Sequence, residues 1–364
     1  MQIKELTSYL ESLFPISSQA DFDNCGLQVG SLSRELSSVL VCLDITEEII
    51  EEAITLGSNL IISHHPIIFK GIKKISEDNE LNKILIQAIK NDITLYSIHT
   101  NIDHSINGVN KRIAEKLNLE NIEILNKSNN NLYKLVVFTP NEQVSQVENA
   151  LFTHGAGNIG NYRECNFVSN GLGSYTPEAQ SNPFLGEKEK RNFVDEKKIE
   201  VLVEKHKINS VVSAMISAHP YEEVAYDIIP LANSNSNEGS GMIGNLQHEV
   251  DAYTFLCHLK DVFHVSCIRH TETGLKKIKK VAFCGGAGIF LLPTAIQQKA
   301  DIFITGDVKY HDFFMSEKKI IIADIGHYES EQFTKELICD VILKKFSNFA
   351  VHLTKINTNP VNYL

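Results

Sequence analysis

Ser63-His64-His65-Pro66 sets two imidazoles side by side where the apolar run Asn59-Leu60-Ile61-Ile62 ends. Each ring carries polar nitrogens that need partners once they leave water, and a bound metal ion satisfies both rings. Pro66 biases His65 towards extended backbone, so the two side chains diverge and suit two different ions better than one. For this tetrapeptide alone, a solvated loop pair is the plain alternative. His327 and Glu331 stand four residues apart where a helix begins, which puts both side chains on one face within reach of a shared ion. The segment His99-Thr100-Asn101-Ile102-Asp103-His104 adds further imidazoles and a carboxylate. His64, His65, Asp103, His327 and Glu331 together supply three imidazoles and two carboxylates without thiolate, a set suited to Zn²⁺, Mn²⁺, Fe²⁺ or Ni²⁺. Five side chains exceed what one open catalytic ion needs. Two ions bridged by one carboxylate and a water use all five, leave positions open to substrate, and lower the pKa of that water, so hydrolytic chemistry follows.

These residues need a scaffold that brings distant segments together. Apolar runs at 38–43, 59–62 and 93–98 read as strands ending at Asp44, the His pair and His99, with helices expected at 47–56, 80–90 and 109–117. The rhythm resumes with strands at 280–284, 301–305 and 320–324. The second ends in Gly306-Asp307 with His311 four residues on, and the third leads to Gly326-His327. Strands alternating with helices predict an α/β fold with a mostly parallel sheet, covered on both faces and with sites at the strand carboxyl ends. Two similar βα halves result. Gly285-Gly286-Ala287-Gly288 could bind phosphate through backbone N–H groups, but it lacks the Lys-Ser/Thr of a P-loop and reads as a strand-to-helix turn. Gly239, Gly241 and Gly244 read as opening a turn-rich stretch.

Polar stretches at 128–131 and 233–237 bound a segment of different texture. It has a strand at 133–138, a helix at 142–152, a strand-like 168–175 and a helix at 196–205 leading to 210–215, and it reads as an inserted α+β domain over 130–235. The core is then 1–129 and 236–364, as the length of 364 residues allows. His219, Glu222 and Glu223 look like another metal cluster, yet their distance from the βα strand ends favours a local structural or interface role.

Hydrophobic residues make up 43% of the chain and charged residues 22%, ordinary globular values. A net charge of -11 disfavours an extensive nucleic-acid or anionic-membrane surface. Seven cysteines without a CxxC pair read as reduced core thiols. No signal-like N-terminus and no apolar run of membrane-spanning length stands in the chain, so the expected location is the cytoplasm.

SHHP, HTNID, the glycine stretch near Gly241, ITGD with a following His, and GHYESE, in this order, resemble the GTP cyclohydrolase 1 type 2 homologue family, also called Nif-three-like. The resemblance covers about 1–126 and 238–364. The segment with HPYEEVAYDI resembles the PII-like or CutA-like domain of longer members, which implies a ferredoxin-like insert. By resemblance the metal ligands are His64, His65, Asp103, His327 and Glu331, holding two divalent ions per chain in a toroidal homohexamer whose sites face an internal cavity. The implied reaction is hydrolytic opening of the imidazole ring of a purine nucleotide such as GTP, releasing formate, with His99 or His311 moving protons. Met242 stands where some shorter members have an arginine, which puts a phosphate contact from that position in doubt. The alternative is a non-catalytic metal-binding, metal-delivery or scaffold protein. Asp44, His99, Asp307 and His311 exceed what storage requires and favour chemistry.

Overall fold

Short runs of Val, Ile and Leu without polar alternation need cover on both faces, and here they become buried strands flanked by helices. The computed structural model describes residues 1–129, 131–274 and 276–364. By contacts the chain divides into two units, Met1–Lys127 with Asn237–Leu364, and Ser128–Ser236. The expected first residue of the insert, 130, lies outside the described residues.

In the first half of the larger unit come α1 (Ile3–Leu13), β1 (Gly26–Val29), β2 (Val39–Cys42), α2 (Glu47–Leu56), β3 (Leu60–Ser63), α3 (Glu80–Lys90), β4 (Thr94–Ser97), α4 (Thr100–Asp103), α5 (Val109–Lys116) and β5 (Glu120–Ser128). The inserted unit contributes β6 (Leu132–Pro140), α6 (Val144–Thr153), β7 (Asn166–Tyr175), β8 (Asn192–Glu204), α7 (Ile208–Ala218) and β9 (Tyr226–Pro230). The second half follows with β10 (Asn235–Asp251), α8 (Ala252–Phe263), β11 (Arg269–His270), β12 (Lys277–Phe283), α9 (Leu292–Gln297), β13 (Ile302–Thr305), β14 (Ile321–Asp324), α10 (His327–Glu331), α11 (Thr334–Lys345) and β15 (Val351–Leu353).

The larger unit has two sheets, ordered β1-β4-β3-β2-β15 and β11-β14-β13-β12-β10-β5. In each half three strands run parallel in chain order, β2-β3-β4 and β12-β13-β14. An antiparallel strand that precedes them in the chain, β1 or β11, closes the edge at the third. Every residue of β2, β3, β4, β13 and β14 is buried. The reason is layered packing. One continuous core joins Val39, Ile62 and Tyr96 of the first sheet to Phe283, Ile304 and Ile321 of the second through α1, α5, α8 and α11. The opposite faces are covered by α2 and α3 on one sheet and by α9 on the other. Each buried Leu, Ile or Val contributes about 1.5–3 kcal/mol, so the strand ends are rigid platforms for polar side chains. Helix α2 shows how a boundary is set: the Thr46 hydroxyl accepts from the Ile49 N–H at 3.4 Å, and Gly57 ends the helix in the left-handed region.

In the inserted unit the βαββαβ order gives an antiparallel sheet, β7-β8-β6-β9, with the connectivity of a ferredoxin-like plait. Helices α6 and α7 cover one face, where Leu135, Val137, Ile199, Val201 and Val203 meet Val147, Leu151, Val211 and Met215.

Three local expectations are overturned. Residues 196–205 were expected to be helical, but 196–204 belong to β8: Ile199, Val201 and Val203 alternate towards the helices, and pairing with β6 on one side and β7 on the other outweighs the helix-favouring Glu-Lys-Lys run. Residues 210–215 are in α7. Gly239, Gly241 and Gly244 lie inside β10 instead of a turn. At Gly241, φ is 63° and a Cβ would come within 2.9 Å of the Phe283 carbonyl oxygen, so glycine serves close approach to β12. Among the cysteines, all free, Cys25, Cys42 and Cys284 are buried, whereas Cys257 and Cys267 are exposed and not core thiols.

Candidate metal centre

The site stands on strand ends of both halves. His64 and His65 follow β3, and their N–H groups donate to Cys42 and Leu43 carbonyls, extending the ladder past the strand. His99 follows β4 and leads into α4, which carries Asp103; β14 leads through Gly326 into α10, which begins with His327 and ends with Glu331. Three groups of donor atoms result: His65, His327 and Glu331; His64, Asp103 and Glu331; and His64, His65 and His99. Glu331 belongs to the first two. Its Oε2 lies 3.1 Å from both His65 Nε2 and His327 Nε2, which are 3.3 Å from each other. Its Oε1 lies 3.6 Å from His64 Nε2, which is 3.8 Å from Asp103 Oδ1.

Each ring is oriented through its other nitrogen. His64 Nδ1–H donates to the Ile98 carbonyl at 2.9 Å, which leaves the Nε2 lone pair facing Glu331 and Asp103. His65 Nδ1 meets Asp44 Oδ1 and His327 Nδ1 meets Asp307 Oδ2, each at 2.7 Å. Carboxylate and carbonyl partners of this kind fix the tautomer of metal-binding histidines. His64 Nε2 and Asp103 Oδ1 are buried without a hydrogen-bond partner, and Glu331 Oε2 has only the His65 and His327 nitrogens beside it at 3.1 Å; buried polar atoms left so are a cost that native proteins avoid unless a ligand is provided for. Two nitrogens about 2.0–2.1 Å from a tetrahedral ion lie about 3.3 Å apart, so the His65–His327–Glu331 triangle has the edge lengths of a ligand set. The residues fit a divalent cation.

Electrostatics agree with that fit. Burial works against ionisation of Glu331, yet His64, His327 and His65 hold its carboxyl well below the usual range. Asp103 is pushed up to about 7 by burial and by the Glu331 charge. Burial opposes charge on His65, but Asp44 and Glu331 raise its pKa to about 10; for His327 the Glu331 contact leads, and its pKa reaches about 9. Positive charge between the rings and Glu331 is therefore favoured.

The glycine turn before α9 serves this site. Gly285 N–H donates to Asn110 Oδ1, Gly286 N–H to Ser330 Oγ and Gly288 N–H to Thr305 Oγ1, so these three donors are spent inside the protein. A Cβ at Gly286 would sit 2.2 Å from Glu331 Oε1. The turn makes room for the shared carboxylate.

The Duf34/NIF3 (NGG1p interacting factor 3) family profile matches residues 1–360. The chain belongs to that family. A Halalkalibacterium halodurans protein named GTP cyclohydrolase 1 type 2 homolog is 40% identical over 357 residues, covering 96% of this chain and 95% of its own. A Bacillus subtilis protein of the same name is 36% identical, covering 99% and 98%. The crystal structure of a Bacillus cereus protein related to NIF3 matches with a TM-score of 0.86 at 36% identity, covering 100% of this chain and 99% of that one.

In this Duf34/NIF3 chain His65, Asp103, His327 and Glu331 line a cavity of about 640 Å³ that also takes in His99, His104, Phe22, Phe69 and Phe290, while His64 lies fully buried behind them. His99 packs edge-on to His64 and His65, with ring centroids 5.2 and 5.3 Å away. Its Nδ1 meets Asp23 Oδ1 at 2.8 Å, and Asp23 also accepts from the Thr100 N–H and hydroxyl. Burial opposes the Asp23 charge, but the His99 and Thr100 contacts hold its pKa below the ordinary range. Sequence reasoning missed Asp23 as a site residue, since it lies 76 positions from its partner in an ordinary polar loop. His311 is elsewhere: it is exposed, packs against Tyr310 and Phe314, and is not among the residues lining this cavity. Asp307, at φ 56°, gives its carboxylate to His327, and four residues on the chain has turned away. Met242 is buried in the core of the larger unit and offers no polar contact.

Proposed function

We propose that the core unit is a dinuclear metal-dependent hydrolase acting on a flat heterocycle such as the base of a purine nucleotide, in the manner of a GTP cyclohydrolase. The observation that carries this reading is Glu331, a buried carboxylate whose two oxygens face two separate donor sets. His65, His327 and Glu331 Oε2 would hold one divalent ion; His64, Asp103 and Glu331 Oε1 would hold the other. Zn²⁺ suits the donors, as do Mn²⁺, Fe²⁺ and Ni²⁺. When bound, such a pair polarises an electrophilic carbon and brings the pKa of water towards neutrality.

The remaining steps belong to the chain. Asp44, Asp307 and the Ile98 carbonyl aim the three rings. Phe22 and Phe69 stack at 6.4 Å, and with Phe290 they offer flat apolar walls to a base. His99, polarised by Asp23, holds or moves a proton over the cavity. His311 has no such position within this chain. The name borne by the relatives, GTP cyclohydrolase 1 type 2 homolog, supports a purine nucleotide, and cytoplasmic chemistry, with its reducing surroundings, is compatible with the free thiols. Assembly as a toroidal homohexamer and descent of the insert from a PII-like or CutA-like module complete the reading. Among the described residues no helix is long and apolar enough to cross a membrane.

A second reading, metal delivery, rests on another cavity of about 690 Å³, where Asp44, Asp307, Asp324 and Glu329 surround a second approach to His65 and His327. One experiment separates the two. Protein reconstituted with Zn²⁺ or Mn²⁺ should release formate from GTP or a related purine nucleotide, chelation should abolish turnover, and His99→Ala should keep the metal yet slow the reaction about a hundredfold. Fully loaded protein that turns over no purine nucleotide but yields its ions to a chelator within minutes supports delivery instead.

A further inference from the structure

The inserted unit contains a cavity of about 390 Å³ that the metal chemistry does not use, walled by Tyr175, Phe184, Tyr221, Glu196, Glu222 and Glu223. The Tyr221 ring lies 6.3 Å from Tyr175 at 57° and 6.4 Å from Phe184 at 53°. Neither pair is stacked: both neighbours meet the Tyr221 ring at a tilt.

The walls are held in place. Tyr175 O–H donates to the Leu185 carbonyl at 2.8 Å, and Tyr221 O–H donates to Glu196 Oε1 at 2.7 Å. The Tyr221 N–H donates to His219 Nδ1 at 3.1 Å, while the His219 ring packs edge-on at 4.9 Å. Asn182 N–H donates to Glu222 Oε2 at 2.7 Å and ties down the loop that carries Phe184. A Cβ at residue 173 would lie 2.1 Å from Glu196 Oε2, so Gly173 keeps room for that carboxylate.

Among the described residues the lining includes three glutamates and no Lys, Arg or His; the neighbouring guanidinium, Arg191, is spent on Ser174 Oγ at 3.1 Å and on the Phe193 ring. Ring faces carry negative potential, and carboxylates add to it, so the cavity favours positive charge. A bare metal ion is poorly served, because Glu196 Oε1 and Glu222 Oε2 are each engaged by a protein donor. An alkylated ammonium gives up little hydration and exploits ring faces directly. We infer that this pocket binds a small organic cation of the alkylammonium class, with Tyr175, Phe184 and Tyr221 as the ring walls and Glu196 as the counter-charge. A small quaternary amine suits a cavity at the lower end of ligand-site sizes.

Calorimetric titration of the full chain with choline, and with its uncharged isostere 3,3-dimethylbutan-1-ol, tests this. Choline should bind saturably and the alcohol about tenfold more weakly or not at all. Glu196→Gln and Phe184→Ala should each weaken choline about tenfold; Phe184 is 48% exposed, so its truncation spares the fold. Equal binding of the alcohol, indifference to both substitutions, or no saturation by choline and tetramethylammonium overturns the inference.

Discussion

Glu331 and the second nitrogens of the histidines set the site's properties at the scale of single residues. If Glu331 is shared, Glu331→Gln should reduce bound metal from about two ions per chain to less than one after reconstitution, measured by elemental analysis. Retention of both ions would refute the bridge. Asp44→Ala keeps the ligand set but removes the acceptor that aims His65, so stoichiometry should survive while affinity for the ion at His65 falls about 10–100-fold. In the insert, His219 donates from Nε2 to the Phe138 carbonyl and accepts at Nδ1 from Tyr221 N–H, so the neutral ring is required. Burial lowers its pKa, against the opposing effects of the Phe138 contact and Glu196. Its stabilising contribution is complete above about pH 6.5 and is lost as pH falls towards the lower folded value, because the unfolded chain then binds more protons. His219→Gln should therefore lose less melting temperature than the parent between pH 7.5 and 5.5; parallel losses would show that His219 does not carry this dependence.

At the scale of elements, the centre is a meeting of strand ends, a short helix and a glycine turn. Gly286 combines φ 65° with a Cβ position overlapping Glu331 Oε1. Gly286→Ala should cost about 1–3 kcal/mol by denaturant unfolding and should also lower metal content. Gly57→Ala is the matched control, since Gly57 has φ 68° with nothing within 4 Å of its Cβ position. It should cost stability without changing metal content. Equal metal content in the two variants would detach the turn from the site.

At the scale of the molecule, β5 and β10 flank the insertion and are neighbours in one sheet, so excising 130–235 leaves ends that a short linker can join. The excised core should remain soluble and bind metal with the parent stoichiometry, since every proposed ligand belongs to the larger unit. An insoluble core, or one without metal, would make the insert part of the core's folding. Light scattering tests the proposed assembly: a homohexamer should show six times the chain mass of 40.8 kDa.

The βα halves and the candidate ligands were legible in the chain because their signals are local. Apolar runs mark buried strands, polar residues at the run ends mark platforms, and a four-residue spacing marks one helix face. Strand β8 was misread because its charged residues favour helix locally while its partners, β6 and β7, are distant in sequence. Spacing gave His311 the same standing as His99, yet only the path of the folded chain decides which ring reaches the cavity. The meeting of Glu331 with His64 and His65, the support of His99 by Asp23, and the three phenylalanine walls join segments from distant parts of the chain. Such contacts have no periodicity to read. The sequence by itself determined which residues could do chemistry; tertiary packing decided which of them share one charge.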